Sequence, residues 1–92
     1  MTDELHRVPI EDAIDLHAFA PRDVVSVVEA YLDAAAAAGF REVRLIHGRG
    51  KGVQRAAVQR LLAGHPLVQD YWDAPSSGLG ATVVALMAEP RV

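Results

Sequence analysis

One stretch near the middle constrains this chain most tightly: Leu45-Ile46-His47-Gly48-Arg49-Gly50-Lys51-Gly52. A short apolar run ends in a histidine, three glycines alternate with two cations, and Val53-Gln54-Arg55-Ala56-Ala57-Val58 opens a helical pattern. Strand, glycine turn and helix in that order direct backbone N–H groups at an anion. Arg49 and Lys51 add full positive charge at the same place. Gly48, Gly50 and Gly52 permit backbone conformations and close approaches that a β-carbon would block. The expectation is a phosphate-contacting loop with a histidine beside it. Two common phosphate loops do not fit. A Walker-type loop follows its lysine with Ser or Thr, whereas Gly52 follows Lys51. A dinucleotide fingerprint spaces its glycines G-x-G-x-x-G, whereas this loop is G-x-G-x-G. From the loop alone, a plain turn with solvated cations stays open as the alternative.

The flanking periodicities supply the frame. Ala13-Ile14-Asp15-Leu16-His17 alternates as a short strand, which would set Ile14 and Leu16 on one face and Asp15 and His17 on the other. From Pro21 to Ala38, Val24, Val27, Val28, Tyr31, Leu32 and Ala35 form a helical stripe, with Pro21 as a first-turn residue and Gly39 as the stop. Glu42 to His47 is the second strand, and Val53 to Ala63 the second helix, closed by Gly64-His65-Pro66. Leu67 to Asp73 and Ala81 to Met87 read as two further strands around a loop over residues 74–80. Tyr71 and Trp72 alternate, so one of them faces the core.

The expected order is βαβαββ, an α/β two-layer sandwich with a mixed four-stranded sheet. Residues 1–11 form an arm and residues 12–92 the domain. A close strand–helix–strand unit implies parallel strands ending at one sheet edge. That edge is where ligands of open α/β sheets collect, and it would bring His17 and His47 together.

At 92 residues there is one small domain, and the absence of cysteine excludes disulfides and thiolate chemistry. No apolar run reaches the ~20 residues of a membrane span, and no cationic leader opens the chain, so a cytoplasmic location is expected and no membrane partner. The net charge of −3 hides a polarity. Arg41, Arg44, Arg49, Lys51, Arg55 and Arg60 crowd the middle against Glu42, while the first third is acidic. Such asymmetry suits an anionic partner.

Three motifs carry a family resemblance. Ile14-Asp15-Leu16-His17-Ala18 resembles the L-D-L-H-G of the Smr (small MutS-related) domain, and His47-Gly48-Arg49-Gly50 matches its H-G-x-G. Ser77-Gly78-Leu79-Gly80-Ala81-Thr82-Val83-Val84-Ala85-Leu86 is similar to its terminal G-G-x-G-x-T-x-V-x-L. The resemblance spans roughly residues 12 to 88. It implies a fold like the C-terminal domain of translation initiation factor 3, in the stand-alone form rather than appended to a MutS-type ATPase. It also implies binding of DNA or RNA, branched or structured forms included, with nicking endonuclease activity in some members. Two departures stand out: Ala18 and Ser77 each replace a glycine of the pattern. Ala18 bears on the placement of His17, since it disfavours a left-handed backbone.

The candidate catalytic residues are Asp15, His17 and His47. His17 would transfer a proton with Asp15 as its partner, and an imidazole titrates in the right range for that task. His47 is either the complementary acid or a lock on the glycine turn. Gly48, Arg49, Gly50, Lys51, Gly52 and Arg55 would grip phosphate, with Gly78 and Gly80 shaping the facing loop. The spacing of Asp15, His17 and His47 does not favour a metal over a metal-free acid–base pair, and no cofactor is implied. A binding or adaptor module without chemistry is the alternative function, and a binder of small phosphate ligands the next.

Overall fold

Val24, Val28, Tyr31, Leu32 and Ala35 recur at helical spacing and are all buried, forming the inner stripe of α1 (Val24–Ala37). This computed structural model describes residues 10–50 and 52–87. Residues 1–9 of the expected arm, with His6, lie outside the described residues, as do Lys51 and residues 88–92. A single 3₁₀ turn, Pro21–Asp23, leads into α1 with proline first, where its missing N–H costs nothing. At the far end Gly39 adopts φ +93°. The Phe40 N–H reaches the Ala35 carbonyl at 3.0 Å and the Gly39 N–H the Ala36 carbonyl at 3.0 Å. This is a Schellman cap, and Phe40 completes it by packing on the core.

The remaining elements follow as β1 (Ala13–Asp15), β2 (Glu42–Ile46), α2 (Val53–Ala63), β3 (Val68–Asp73) and β4 (Ala81–Leu86). The sheet order is β1-β2-β4-β3. β1 and β2 are parallel, while β4 runs antiparallel to both of its neighbours. The βαβαββ order and the mixed four-stranded sheet are as the periodicities predict. Both helices cover one face, where Val43, Leu45, Val84 and Leu86 meet Val28, Leu32, Val58 and Leu62. On the other face Ile46, Ala74, Ala81 and Val83 form a smaller cluster.

Of the two boundaries of β1, the start at Ala13 is where alternation sets it and the end is not. β1 stops at Asp15, and Leu16–Ala18 form a 3₁₀ turn. The cause is the Asp15 carboxylate, which accepts the His17 N–H at 2.9 Å and draws the chain out of its strand. Leu16 still drops into the core, fully buried. At the other boundary, the tyrosine hydroxyl of Tyr31 donates to the Glu11 carbonyl and ties the start of β1 to α1. Burial, then the charges of Asp12 and Glu11, push that phenol up to about 12.

Candidate nucleic-acid interface

The carboxyl ends of β1 and β2 open into two turns that face each other. In the first, Asp15 and His17 are joined twice. Besides the backbone contact, the His17 ring nitrogen Nδ1 lies 2.8 Å from Asp15 Oδ1. A carboxylate there accepts the Nδ1 proton, which leaves Nε2 as the free basic nitrogen. The His17 backbone N–H, followed by its ring, holds the Asp15 carboxyl below its ordinary range. Both side chains are exposed, and strand alternation is not what unites them, since His17 lies beyond the strand. Ala18 does not take a left-handed conformation, so the departure from glycine causes no strain there.

The second turn begins at His47. Its ring is 4% exposed. Nδ1 lies 3.0 Å from the Gly48 carbonyl and Nε2 2.9 Å from Thr82 Oγ1. A carbonyl only accepts, so Nδ1 carries the proton and Nε2 accepts the threonine hydroxyl. Thr82 in turn accepts from Gln59 Nε2 at 3.1 Å, and Gln59 also reaches Asp73 at 3.2 Å. Every polar position on the imidazole is occupied, as a lock on the turn requires. The sequence marks Thr82 only as the threonine of the terminal motif, without a partner, and marks neither Gln59 nor Asp73. The available signal was one hydroxyl in an otherwise apolar strand, Ala81-Thr82-Val83-Val84.

The glycine loop turns part of its own backbone inward. The N–H groups of His47 and Gly48 both donate to the Gly80 carbonyl, at 3.0 and 2.8 Å, and that of Gly52 donates to the Arg49 carbonyl at 3.0 Å. Outward-facing donors therefore come from the first turn of α2. Its leading amides have no intrahelical acceptor and no side-chain cap. Gly48 adopts φ +81°, and the His17 ring fills the position a β-carbon would take. Gly80 is tightly packed, since a β-carbon there would stand 3.1 Å from the Ser77 carbonyl and 3.3 Å from Arg49 Cγ.

Arg49 is exposed, with its stem across Gly78 and Gly80. It makes no ion pair among the described residues. Arg55 is placed otherwise. Its Nε and terminal nitrogen each donate to Asp73, both at 2.8 Å, in a two-point fork. The fork keeps the Asp73 carboxyl low and the Arg55 guanidinium high. Arg55 is therefore neutralised within the fold, where a free phosphate grip was expected. His17, His47, Gly48, Arg49, Gly50 and Gly52 border one cleft of about 260 Å³, together with Val53 and Gln54. The Gln54 Oε1 atom there is buried without a partner among the described residues. No group of three or more His, Asp or Glu among the described residues is placed to hold a metal ion. No helix among them is long and apolar enough to cross a membrane.

Comparison with known proteins agrees with this geometry. Residues 14–87 match the Smr domain family. Endonuclease MutS2 of Pelotomaculum thermopropionicum is 42% identical over 79 residues, covering 84% of this chain and 10% of that protein. Endonuclease MutS2 of Clostridium tetani is 38% identical over the same length and shares. The chain thus spans about a tenth of these relatives. The crystal structure of the Smr domain of Thermus thermophilus MutS2 superposes with a TM-score of 0.79 at 34% identity, covering 84% of this chain and 99% of that one. The stand-alone small MutS-related protein YdaL from Escherichia coli superposes with a TM-score of 0.76 at 30% identity, covering 85% of this chain and 66% of that one.

Proposed function

We propose, since this chain belongs to the Smr domain family, that it binds nucleic acid at the edge formed by His17, the Gly48–Gly52 loop and the start of α2, and that it nicks phosphodiesters there. The observation that carries this is the Asp15–His17 pair, with its Nε2 beside Gly48 and next to Arg49, which makes no ion pair among the described residues. A backbone phosphate between His17 and Arg49 would have a base on one side and a cation on the other. In cleavage, Nε2 takes a proton from the attacking water or ribose hydroxyl, a new P–O bond forms, and the leaving oxygen departs and is reprotonated by solvent. Arg49 and the leading amides of α2 stabilise the added charge on the phosphoryl oxygens. Lys51, outside the described residues, adds charge by its position in the chain.

Arg55 contributes by fixing β3 to α2 through Asp73, and Gly78 and Gly80 by giving Arg49 its seat. Both ring nitrogens of His47 are already hydrogen-bonded, to the Gly48 carbonyl and to Thr82. That observation favours a second reading, a module that binds without cutting. Binding titrations of duplex, branched and single-stranded probes at several salt concentrations test the first claim. A nicking assay on supercoiled plasmid and on structured RNA, with and without chelator, separates the two. His17→Ala that binds but no longer nicks supports the enzyme; parent protein that binds and never nicks supports the module.

A further inference from the structure

We propose that the open face of the sheet is a platform for a single-stranded nucleic-acid segment leaving the loop, with one base stacked on Trp72 and a phosphate held by Arg44. This rests on the nucleic-acid function assigned to the loop above and adds its substrate class: nucleic acid with an unpaired segment beside the contacted phosphate. Three observations support it. First, Trp72 is 40% exposed, while Tyr71, its neighbour on β3, packs toward the core on the helix side. Second, the pairing registers set Ala13, Arg44, Val83 and Trp72 in one row across the sheet. Arg44 and Trp72 therefore flank Val83 with Cα atoms about 10 Å apart, two strand spacings. A guanidinium and an indole on either side of a low apolar floor can hold a phosphate and the face of a base at once.

Third, the Arg44 side of the platform is continuous with the loop. A groove of about 510 Å³ has His17 and Arg49 at one end, Gly80 and Ala81 in its floor, and Ile46 and Arg44 at the other end. Glycine and alanine keep that floor low. The next row of the face, Glu42, Ala85 and Asp70, is acidic at both flanks. It repels phosphate and limits the footprint to the nucleotides nearest the loop. Asp15, on the same face, is already engaged by His17. A base inside a duplex is stacked on both sides and cannot offer its flat side to Trp72, so the body of a duplex bypasses the platform and an unpaired segment uses it.

Trp72 is the only tryptophan of the chain, so its emission reports this platform directly. The test compares a blunt duplex, the same duplex with a short single-stranded overhang, and that overhang made abasic. The overhang should quench Trp72 emission and bind about five- to tenfold tighter than the blunt duplex, the low end of what stacking one base supplies. The abasic overhang should lose both effects in the unaltered protein, so the result does not depend on any variant folding. Trp72→Phe should keep most of the gain and Trp72→Ala none, with blunt binding unchanged. Arg49→Ala should weaken all three probes alike. Equal binding of blunt and overhanging probes with unchanged emission would overturn the platform and leave the loop function standing. Failure of the unaltered protein to bind any probe at low salt would overturn both.

Discussion

The imidazole of His17 occupies the space that a β-carbon on Gly48 would need: that carbon would stand 2.9 Å from His17 Cε1 and closer still to Nε2. A residue of the first turn is thereby seated against the backbone of the second, 31 positions later in the chain. Gly48→Ala should consequently act twice. The left-handed backbone becomes strained, at a cost of about 1–3 kcal/mol, and the His17 ring is displaced. Urea denaturation checks the first effect. The second would appear as lost nicking, together with a changed imidazole environment in NMR spectra.

Asp15 sets which nitrogen of His17 is basic. Its carboxyl is held below its ordinary value of 3.8 by the His17 backbone N–H and then by the ring. A carboxyl lowered on folding contributes stability above its unfolded pKa and loses that contribution as pH falls through the folded value. The contact should therefore persist throughout the neutral and mildly acid range and fail only in strong acid. Carbon-detected NMR titration of Asp15 should give a midpoint below 3.8. Asp15→Asn should abolish that step, and at neutral pH it should slow nicking while leaving binding intact. His17→Ala should slow nicking by about 10²–10⁴-fold, the usual weight of a general base.

Thr82 joins His47 to Gln59 inside the fold. Thr82→Val keeps the volume and removes both contacts, leaving a buried imidazole nitrogen unpaired and the Gln59 amide with Asp73 alone. The expected loss is about 1–3 kcal/mol in urea denaturation. Thr82→Ser, which retains the hydroxyl, should lose markedly less.

Tyr31 should titrate late. Burial and its acidic neighbours push the phenol up to about 12, against an ordinary value of 10.0. A group raised on folding keeps its full contribution below the unfolded pKa and loses it as pH rises through the folded one. Native absorbance titration should show a late phenol step near pH 12 that belongs to Tyr31. Stability should decline between about pH 10 and pH 12, and Tyr31→Phe should remove that dependence.

Much of this architecture is legible in the sequence because its signals are local. The stripe from Val24 to Ala35, the Gly39-Phe40 stop and the Val53–Ala63 helix each announce themselves within a few turns, and α2 has the bounds its periodicity predicts. The end of β1 is not legible in the same way. Alternation carries the strand on to His17, whereas capping by Asp15 bends the chain two residues earlier. The partners of Arg55 and His47 are hidden for another reason. Asp73 and Thr82 lie 18 and 35 positions away, and only the packing of α2 on β3 and β4 brings them within reach. A cation paired inside the fold and one free at the edge look alike as letters.

That distinction supplies the most direct measurement, the salt dependence of nucleic-acid affinity. Arg49→Ala should weaken binding and reduce the slope of log affinity against log salt by about one. The double variant Arg55→Ala with Asp73→Ala, which removes a matched pair, should leave the slope of the unaltered protein in place. An unchanged slope in Arg49→Ala, or a slope lost in the paired variant while Arg49 is intact, would contradict the assignment of this edge as the nucleic-acid contact.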